Sequence, residues 1–271
     1  MVSEDIKIQL SGVKMKKERK DNRGDDQLRP VKIVPGFVEL SAGSALIEMG
    51  KTRVLCTASV EGKVPRWLHQ AQLKQREKSG WVTAEYSILP GAGPYRTQRE
   101  STTGRKSGRT YEIQRLIGRS LRTVVDLKEL GPRTVWIDCD VIQADGGTRT
   151  ASVTGGFVAL MKALQDLKSK GMIDKIPIKE HLAAVSIGVR EGEVLLDLDY
   201  DEDKDVDVDC NVVMTESGKF IEIQGTGEKR GFSREQLTKM LDYAEPAIHE
   251  LIKLQKLVCM GSGEWGVGSG E

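Results

Sequence analysis

Ala45-Leu46-Ile47-Glu48-Met49-Gly50-Lys51-Thr52-Arg53-Val54-Leu55-Cys56-Thr57-Ala58-Ser59-Val60 holds two runs of period two, rich in β-branched residues, on either side of a Gly-Lys pair. Side chains alternate between the faces of an extended chain, so the pattern predicts a β-hairpin turned at Gly50-Lys51. Upstream, Val31, Ile33 and Phe37 lead into the same alternation. Downstream, Leu68 to Ser79 is a polar insert suited to a surface, and Trp81-Val82-Thr83-Ala84-Glu85-Tyr86 predicts a further strand.

The period then changes. Ile113, Leu116, Ile117, Leu121, Val124 and Val125 share one helical face between Thr110 and Leu127. Thr134 to Asp140 returns to alternation, and Thr150 to Lys168 predicts a second amphipathic helix through Val153, Phe157, Leu160, Met161 and Leu164. Two more hairpins follow, Ala183–Val189 with Val194–Asp199 and Asn211–Met214 with Phe220–Gln224. A last helix runs from about Ser233, placed to cap it, to about Leu257. Strands in hairpins with helices between the sets predict an α+β fold rather than a doubly wound parallel sheet. Residues 1–20 read as a polar arm, 21–258 as one domain, and 259–271 as a flexible Gly/Ser-rich tail.

The chain of 271 residues is 30% charged with a net charge of only +1, yet the charges are segregated. Seven arginines and one lysine between Arg96 and Arg122 face Glu100 and Glu112 alone, and ten acidic residues between Glu191 and Asp209 face only Lys204. Together these stretches suggest an anion-binding and a cation-binding surface brought together by folding. Aromatic residues, at 5%, are too few for a broad stacking platform. No run approaches the ~18 uninterrupted apolar residues of a membrane span. Met1-Val2-Ser3-Glu4-Asp5 does not resemble a secretory leader. Cys56, Cys139, Cys210 and Cys259 form no CxxC pair, so a reducing cytoplasm is expected.

Gln143-Ala144-Asp145-Gly146-Gly147-Thr148-Arg149-Thr150-Ala151-Ser152 falls between a predicted strand and a predicted helix. Paired glycines let the backbone bend with its N–H groups exposed, and a helix N-terminus adds partial positive charge. Thr148 offers a hydroxyl, and Arg149 a guanidinium fork suited to phosphate oxygens. Most Gly-Gly pairs make plain strand-to-helix turns; the Thr and Arg favour an anion site without naming the anion. Arg109, behind Ser107-Gly108, repeats the combination at the next helix start upstream. Two such ends converging would grip one inorganic phosphate or one phosphodiester. Arg96, Arg99 and Arg105 lie in a Gly-rich loop after Leu89-Pro90, which fits either a salt-dependent track for an RNA backbone or a solubilising or subunit-contact loop. In the acidic run, Asp203, Asp205, Asp207 and Asp209 would share one face of an extended chain. Clustered carboxylates repel unless a cation binds, and hard oxygen donors suit Mg²⁺ or Mn²⁺; a solvated acidic loop is the plainer alternative. His69, His181 and His249 show no ligand spacing.

From about Gln27 to about Gln255 the chain resembles the ribonuclease PH family. The resemblance is carried in order by Gln27-Leu28-Arg29-Pro30, Val54–Val60, Gly80–Tyr86, Glu112–Arg119, Asp138-Cys139-Asp140-Val141, Gln143–Ser152 and Asn211–Thr215. It implies a ribonuclease PH-like fold, related to the ribosomal protein S5 domain 2-like architecture. It also implies a phosphate-dependent 3′-to-5′ exoribonuclease that trims tRNA precursors and other RNAs, ribosomal RNA among them. Such an enzyme releases nucleoside 5′-diphosphates and adds nucleotides in reverse. The family's phosphate site maps onto Arg109, Gly147, Thr148 and Arg149, and its metal-linked aspartates onto Asp203 and Asp209, giving Arg109, Thr148, Arg149, Asp203 and Asp209 as the catalytic set. Mg²⁺ or Mn²⁺ is the implied cofactor, with inorganic phosphate as co-substrate. Arg96, Arg99 and Arg105 are the implied RNA contacts. The implied assembly is a hexameric ring of three dimers, with no membrane partner. Gly91 stands where the family commonly carries arginine, which bears on the grip on RNA. The alternative is a non-catalytic RNA-binding ring subunit of an exosome-like assembly; such subunits usually lose the arginines and aspartates retained here.

Overall fold

A computed structural model describes residues 19–75 and 78–260. The first half runs β1 (Val31–Pro35), β2 (Gly43–Met49), β3 (Thr52–Glu61), α1 (Arg66–Gln75), β4 (Trp81–Ile88), α2 (Glu100–Thr103), α3 (Gly108–Val124), α4 (Leu127–Leu130), β5 (Thr134–Gln143) and α5 (Thr148–Ser169). The second runs β6 (Leu182–Arg190), β7 (Glu193–Leu196), α6 (Tyr200–Asp205), β8 (Val208–Thr215), β9 (Phe220–Gly227) and α7 (Arg234–Met260).

The Gly50-Lys51 turn sets Met49 opposite Thr52 and so fixes the register of β2 on β3. Val54, Cys56 and Ala58 consequently all face inward and are fully buried. The first sheet has the order β1-β2-β3-β5-β4. Its pairings are antiparallel except β4 with β5, which are parallel and need a crossover, supplied by α3. The second sheet, β7-β6-β8-β9, is antiparallel throughout.

Between the sheets lies α5, packed on β2 and β3 on one side and β6 on the other. The amphipathic helix expected over 150–168 is therefore corrected: every residue from Thr150 to Met161 is buried, because sheets cover it on two sides. One continuous apolar cluster joins both sheets, and Ile47, Ile137, Phe157, Leu164 and Leu182 are among its fully buried members. Each such side chain contributes about 1.5–3 kcal/mol from its removal from water.

Other expectations also shift. Phe37 is not on a strand; β1 ends at Pro35, the chain turns at Gly36 with φ 70°, and Phe37 is left 51% exposed. The polar insert forms helix α1, whose Trp67 meets Trp81 edge-on at 4.9 Å between centroids. The acidic run is not extended at Asp203 and Asp205, because Asp199 and Glu202 form a reciprocal capping box that starts α6. Of the arm expected over 1–20 only Arg19 and Lys20, and of the tail over 259–271 only Cys259 and Met260, fall within the described residues; the remainder lies outside them. All four cysteines are buried and free. Among the described residues no helix is long and apolar enough to cross a membrane.

Candidate active site

The turn from β5 into α5 is held from below. Thr52 donates from its hydroxyl to the Gly146 carbonyl (2.6 Å) and accepts from the Asp145 N–H (2.9 Å). Arg29 donates to the carbonyls of Asp145 and Gly146. Gly146 and Gly147 take φ 75° and 63°, the left-handed region that side chains other than glycine avoid. Gly147 is the N-cap of α5 and has no side chain to accept its first N–H groups. Those donors, with the helix dipole behind them, are left for an anion. Thr148 bonds the Tyr86 phenol through its hydroxyl (2.9 Å). Arg149 is steered by Gln224 (Nη1 to Oε1, 2.9 Å) and more loosely by Glu112 at 3.7 Å.

The start of α3 is built differently. Ser107 accepts from the Thr110 N–H at 3.1 Å, while Glu100 accepts from the Ser107 N–H (3.1 Å) and the Thr110 hydroxyl (2.7 Å). This fixes the backbone on either side of Arg109, whose exposed guanidinium makes no hydrogen bond or ion pair with any described residue. Its charge is nonetheless felt nearby. Burial raises the Tyr86 phenol above its ordinary pKa, against the Thr148 hydrogen bond and the positive charges of Arg109 and Arg149.

Asp203, on α6, and Asp209, on β8, face the same two arginines. Desolvation by the surrounding residues raises Asp203, offset by Arg109 and Arg149. Asp209 is pushed up to about 6, by burial first and by Asp203 second. Glu228 adds to the repulsion on both. Among the described residues no three His, Cys, Asp or Glu side chains converge as a metal cage. The donor set is thus two mutually repelling carboxylates with oxygen ligands only. That fits Mg²⁺ or Mn²⁺, hard cations that keep several waters and are commonly bound by one or two carboxylates plus phosphate oxygens.

A cleft of about 820 Å³ is lined by Tyr86, Tyr111, Arg99, Arg105, Asp138 and Asp140. Asp140 is raised by burial and held back by Arg99. Arg96, in the same loop, is exposed and does not line the cleft. The fold therefore gathers Arg109, Gly147, Thr148, Arg149, Asp203 and Asp209 at one place. Arg99 and Arg105 stand alongside, and Arg96 lies farther out on the loop.

Sequence reading misses Tyr86, Gln224 and Arg29 as parts of this site. Tyr86 reads as one more alternating strand residue, and Gln224 and Arg29 touch residues 75 or more positions away. Tyr86→Phe removes only the hydroxyl that orients Thr148. A neutral hydrogen bond contributes ~1 kcal/mol, so if this helix start is an anion site, titration calorimetry with inorganic phosphate as the probe should show binding about 5-fold weaker, with the fold unchanged.

Residues 27–164 match the 3′ exoribonuclease family, domain 1, and residues 182–247 match its domain 2. The chain is 56% identical over 241 residues to ribonuclease PH of Syntrophomonas wolfei subsp. wolfei, covering 89% of this chain and 98% of that protein. It is 55% identical over 241 residues to ribonuclease PH of Bacillus pumilus, covering 89% and 97%. In fold it is similar to rice (Oryza sativa) Rrp46, with a TM-score of 0.72 at 20% identity over 89% of this chain and 100% of that one. It is equally similar to a chain of the Archaeoglobus fulgidus exosome with RNA bound to the active site, with a TM-score of 0.72 at 20% identity over 87% and 92%.

Proposed function

Because the chain belongs to the ribonuclease PH family of 3′ exoribonucleases, we propose that the convergence of Arg109, Thr148, Arg149, Asp203 and Asp209 is where its phosphorolysis occurs. The protein is a phosphate-dependent 3′-to-5′ exoribonuclease. The Gly147 turn, the Thr148 hydroxyl and the two arginines hold inorganic phosphate in line with the terminal phosphodiester. An oxygen of the bound phosphate forms the new bond to phosphorus while the bond to the 3′-oxygen of the preceding nucleotide breaks. The products are a nucleoside 5′-diphosphate and an RNA one nucleotide shorter, its new 3′-hydroxyl having taken up a proton. Positioning and fixed positive charge do most of the work, as expected for transfer between phosphate oxygens. Asp203 and Asp209 would hold Mg²⁺ or Mn²⁺, which when bound supplies positive charge to the reacting phosphates.

The observation that carries this reading is that the uncapped N–H groups at Gly147, the Thr148 hydroxyl held by Tyr86 and the Arg149 fork held by Gln224 meet at one helix start, with Arg109, Asp203 and Asp209 near enough for their charges to act on one another. The substrate belonging to it is RNA with an unpaired 3′ end, tRNA precursors above all. The loop of Arg96, Arg99 and Arg105 guides the strand. We further propose that the protein assembles as a ring of three dimers and, because its cysteines are free, that it works in a cytoplasmic setting. Light scattering on the purified protein tests the ring.

The decisive experiment incubates the protein and Mg²⁺ with a tRNA bearing extra 3′ nucleotides, with and without inorganic phosphate. Diphosphates are expected only with phosphate. Monophosphates formed without phosphate would mean hydrolysis, and RNA left intact in both tubes would favour a binding subunit. If the loop arginines contact backbone phosphates, removing Arg99 should lower the slope of log affinity against log salt by about 0.7 for a single strand. An unchanged slope by fluorescence anisotropy at several salt concentrations would take Arg99 out of the RNA path.

A further inference from the structure

Beneath the charged mouth of the site lies a buried ionic network that the reaction itself does not use. Arg29, 4% exposed, donates to the fully buried Asp197 carboxylate from its backbone N–H (2.8 Å), Nε (3.0 Å) and Nη2 (2.7 Å). The same guanidinium donates through Nη1 to the Asp145 carbonyl and through Nη2 to the Gly146 carbonyl at 3.5 Å. One side chain thus grips two segments distant in sequence. The first is the turn leading into Thr148 and Arg149; the second is the end of β7 leading into α6 and Asp203.

Asp197 is itself tightly placed. Its φ is 53°, and its N–H donates to the Ser186 carbonyl at 2.7 Å. Two residues on, Asp199 caps α6, and the Tyr200 N–H reaches back to the Asp145 carboxylate at 3.4 Å. A second pair supports α6 from its other side: Arg19 donates to both Glu202 oxygens at 2.8 Å and to the Leu196 carbonyl at 2.9 Å. A buried ion pair adds little stability compared with apolar packing of the same volume. What a guanidinium fork adds is geometry, because its donors meet their acceptors in only one register.

We propose that Arg29 and Asp197 are positioning residues for phosphorolysis, holding the phosphate-gripping end of α5 and the Asp203-bearing helix α6 at one fixed spacing. The proposal rests on the assignment of Thr148, Arg149 and Asp203 made above. If the spacing relaxes, phosphate and the aspartates no longer meet the same phosphodiester in line, while the arginine end of the RNA loop, tied to the start of α3 through Glu100, Ser107 and Thr110, makes none of these contacts.

The test compares Arg29→Lys, Asp197→Asn and the double variant Arg29→Gln with Asp197→Asn against the wild-type protein. Lys keeps the charge and loses the fork; Asn is isosteric and tolerates the left-handed φ. The double variant removes both charges of the pair together and leaves Arg23, which also approaches Asp197 at 3.6 Å, with Asp21 and Glu202 as its partners. Each is assayed well below its melting transition, with folding checked by circular dichroism. A displacement well under 1 Å should lower kcat about 10-fold and raise KM for phosphate, with KM for RNA unchanged. The loss should persist in the double variant even where its melting temperature recovers. Wild-type kcat and KM beside a lowered melting temperature would overturn the proposal, as would activity that returns together with stability in the double variant. If a single variant does not fold, the double variant decides by the same criterion. A wild-type protein that releases no diphosphates would instead remove the functional assignment, and this proposal with it.

Discussion

Arg109→Ala should lower kcat for phosphorolysis by about 10²-fold or more, the loss typical of removing one fixed donor from a developing charge. The side chain is exposed and makes no hydrogen bond or ion pair with the described residues. Its loss therefore breaks no packing, and stability should stay within about 0.5 kcal/mol of wild type. The effect instead falls on charge. Arg109 and Arg149 both offset the repulsion felt by Asp203 and Asp209, so removing one should leave two crowded carboxylates with less compensation. Arg109→Lys should fall between, since the ammonium keeps the charge but cannot donate as a planar fork. Steady-state kinetics with phosphate and RNA varied independently measures both variants. Turnover near wild type in Arg109→Ala would remove this residue from the site.

Much of this architecture is legible in the chain because its signals are local. The β2–β3 hairpin follows from alternation on either side of Gly50-Lys51, and α3 from an apolar face spaced at helical period. The glycine turn before Thr148 and Arg149 carries its own chemistry in consecutive residues. The reading fails where long-range contact overrides local pattern. Alternating aspartates suggest an extended strand, but the Asp199–Glu202 capping box and the Arg19 pair on Glu202 make α6 a helix, so Asp203 reaches the site from a helix and Asp209 from β8. The face count on α5 fails for a related reason, since period alone cannot reveal that a second sheet covers the helix from behind. Arg29 is the clearest instance. It looks like one more basic residue near the start of the chain, yet it is buried against Asp197, 168 positions away.

Gly146→Ala should be the most damaging single-methyl change in the site. A Cβ there would lie 2.2 Å from the Leu198 carbonyl oxygen, 2.7 Å from the Asp199 carbonyl carbon and 2.9 Å from the Asp199 carbonyl oxygen. All three are backbone atoms, so no side chain can swing aside. The left-handed φ of 75° adds a conformational cost to the steric one. Together the two should destabilise the fold by about 3 kcal/mol or more. The clash is with the segment that begins α6, so relief requires the phosphate turn and the Asp203 helix to move apart, and activity should fall in the fraction that stays folded. Gly147→Ala should be milder, although its φ is 63°, because its nearest neighbours are the side chains of Arg29, Ser186 and Thr150 at 3.2–3.4 Å. Gly91→Ala, with open space around it, should change stability by no more than about 0.5 kcal/mol. Urea unfolding of the three variants at one protein concentration gives the order directly. If Gly146→Ala proved as stable as Gly91→Ala, the close approach of this turn to Leu198 and Asp199 would not exist in solution, and the coupling of the two halves of the site through that contact would have to be abandoned.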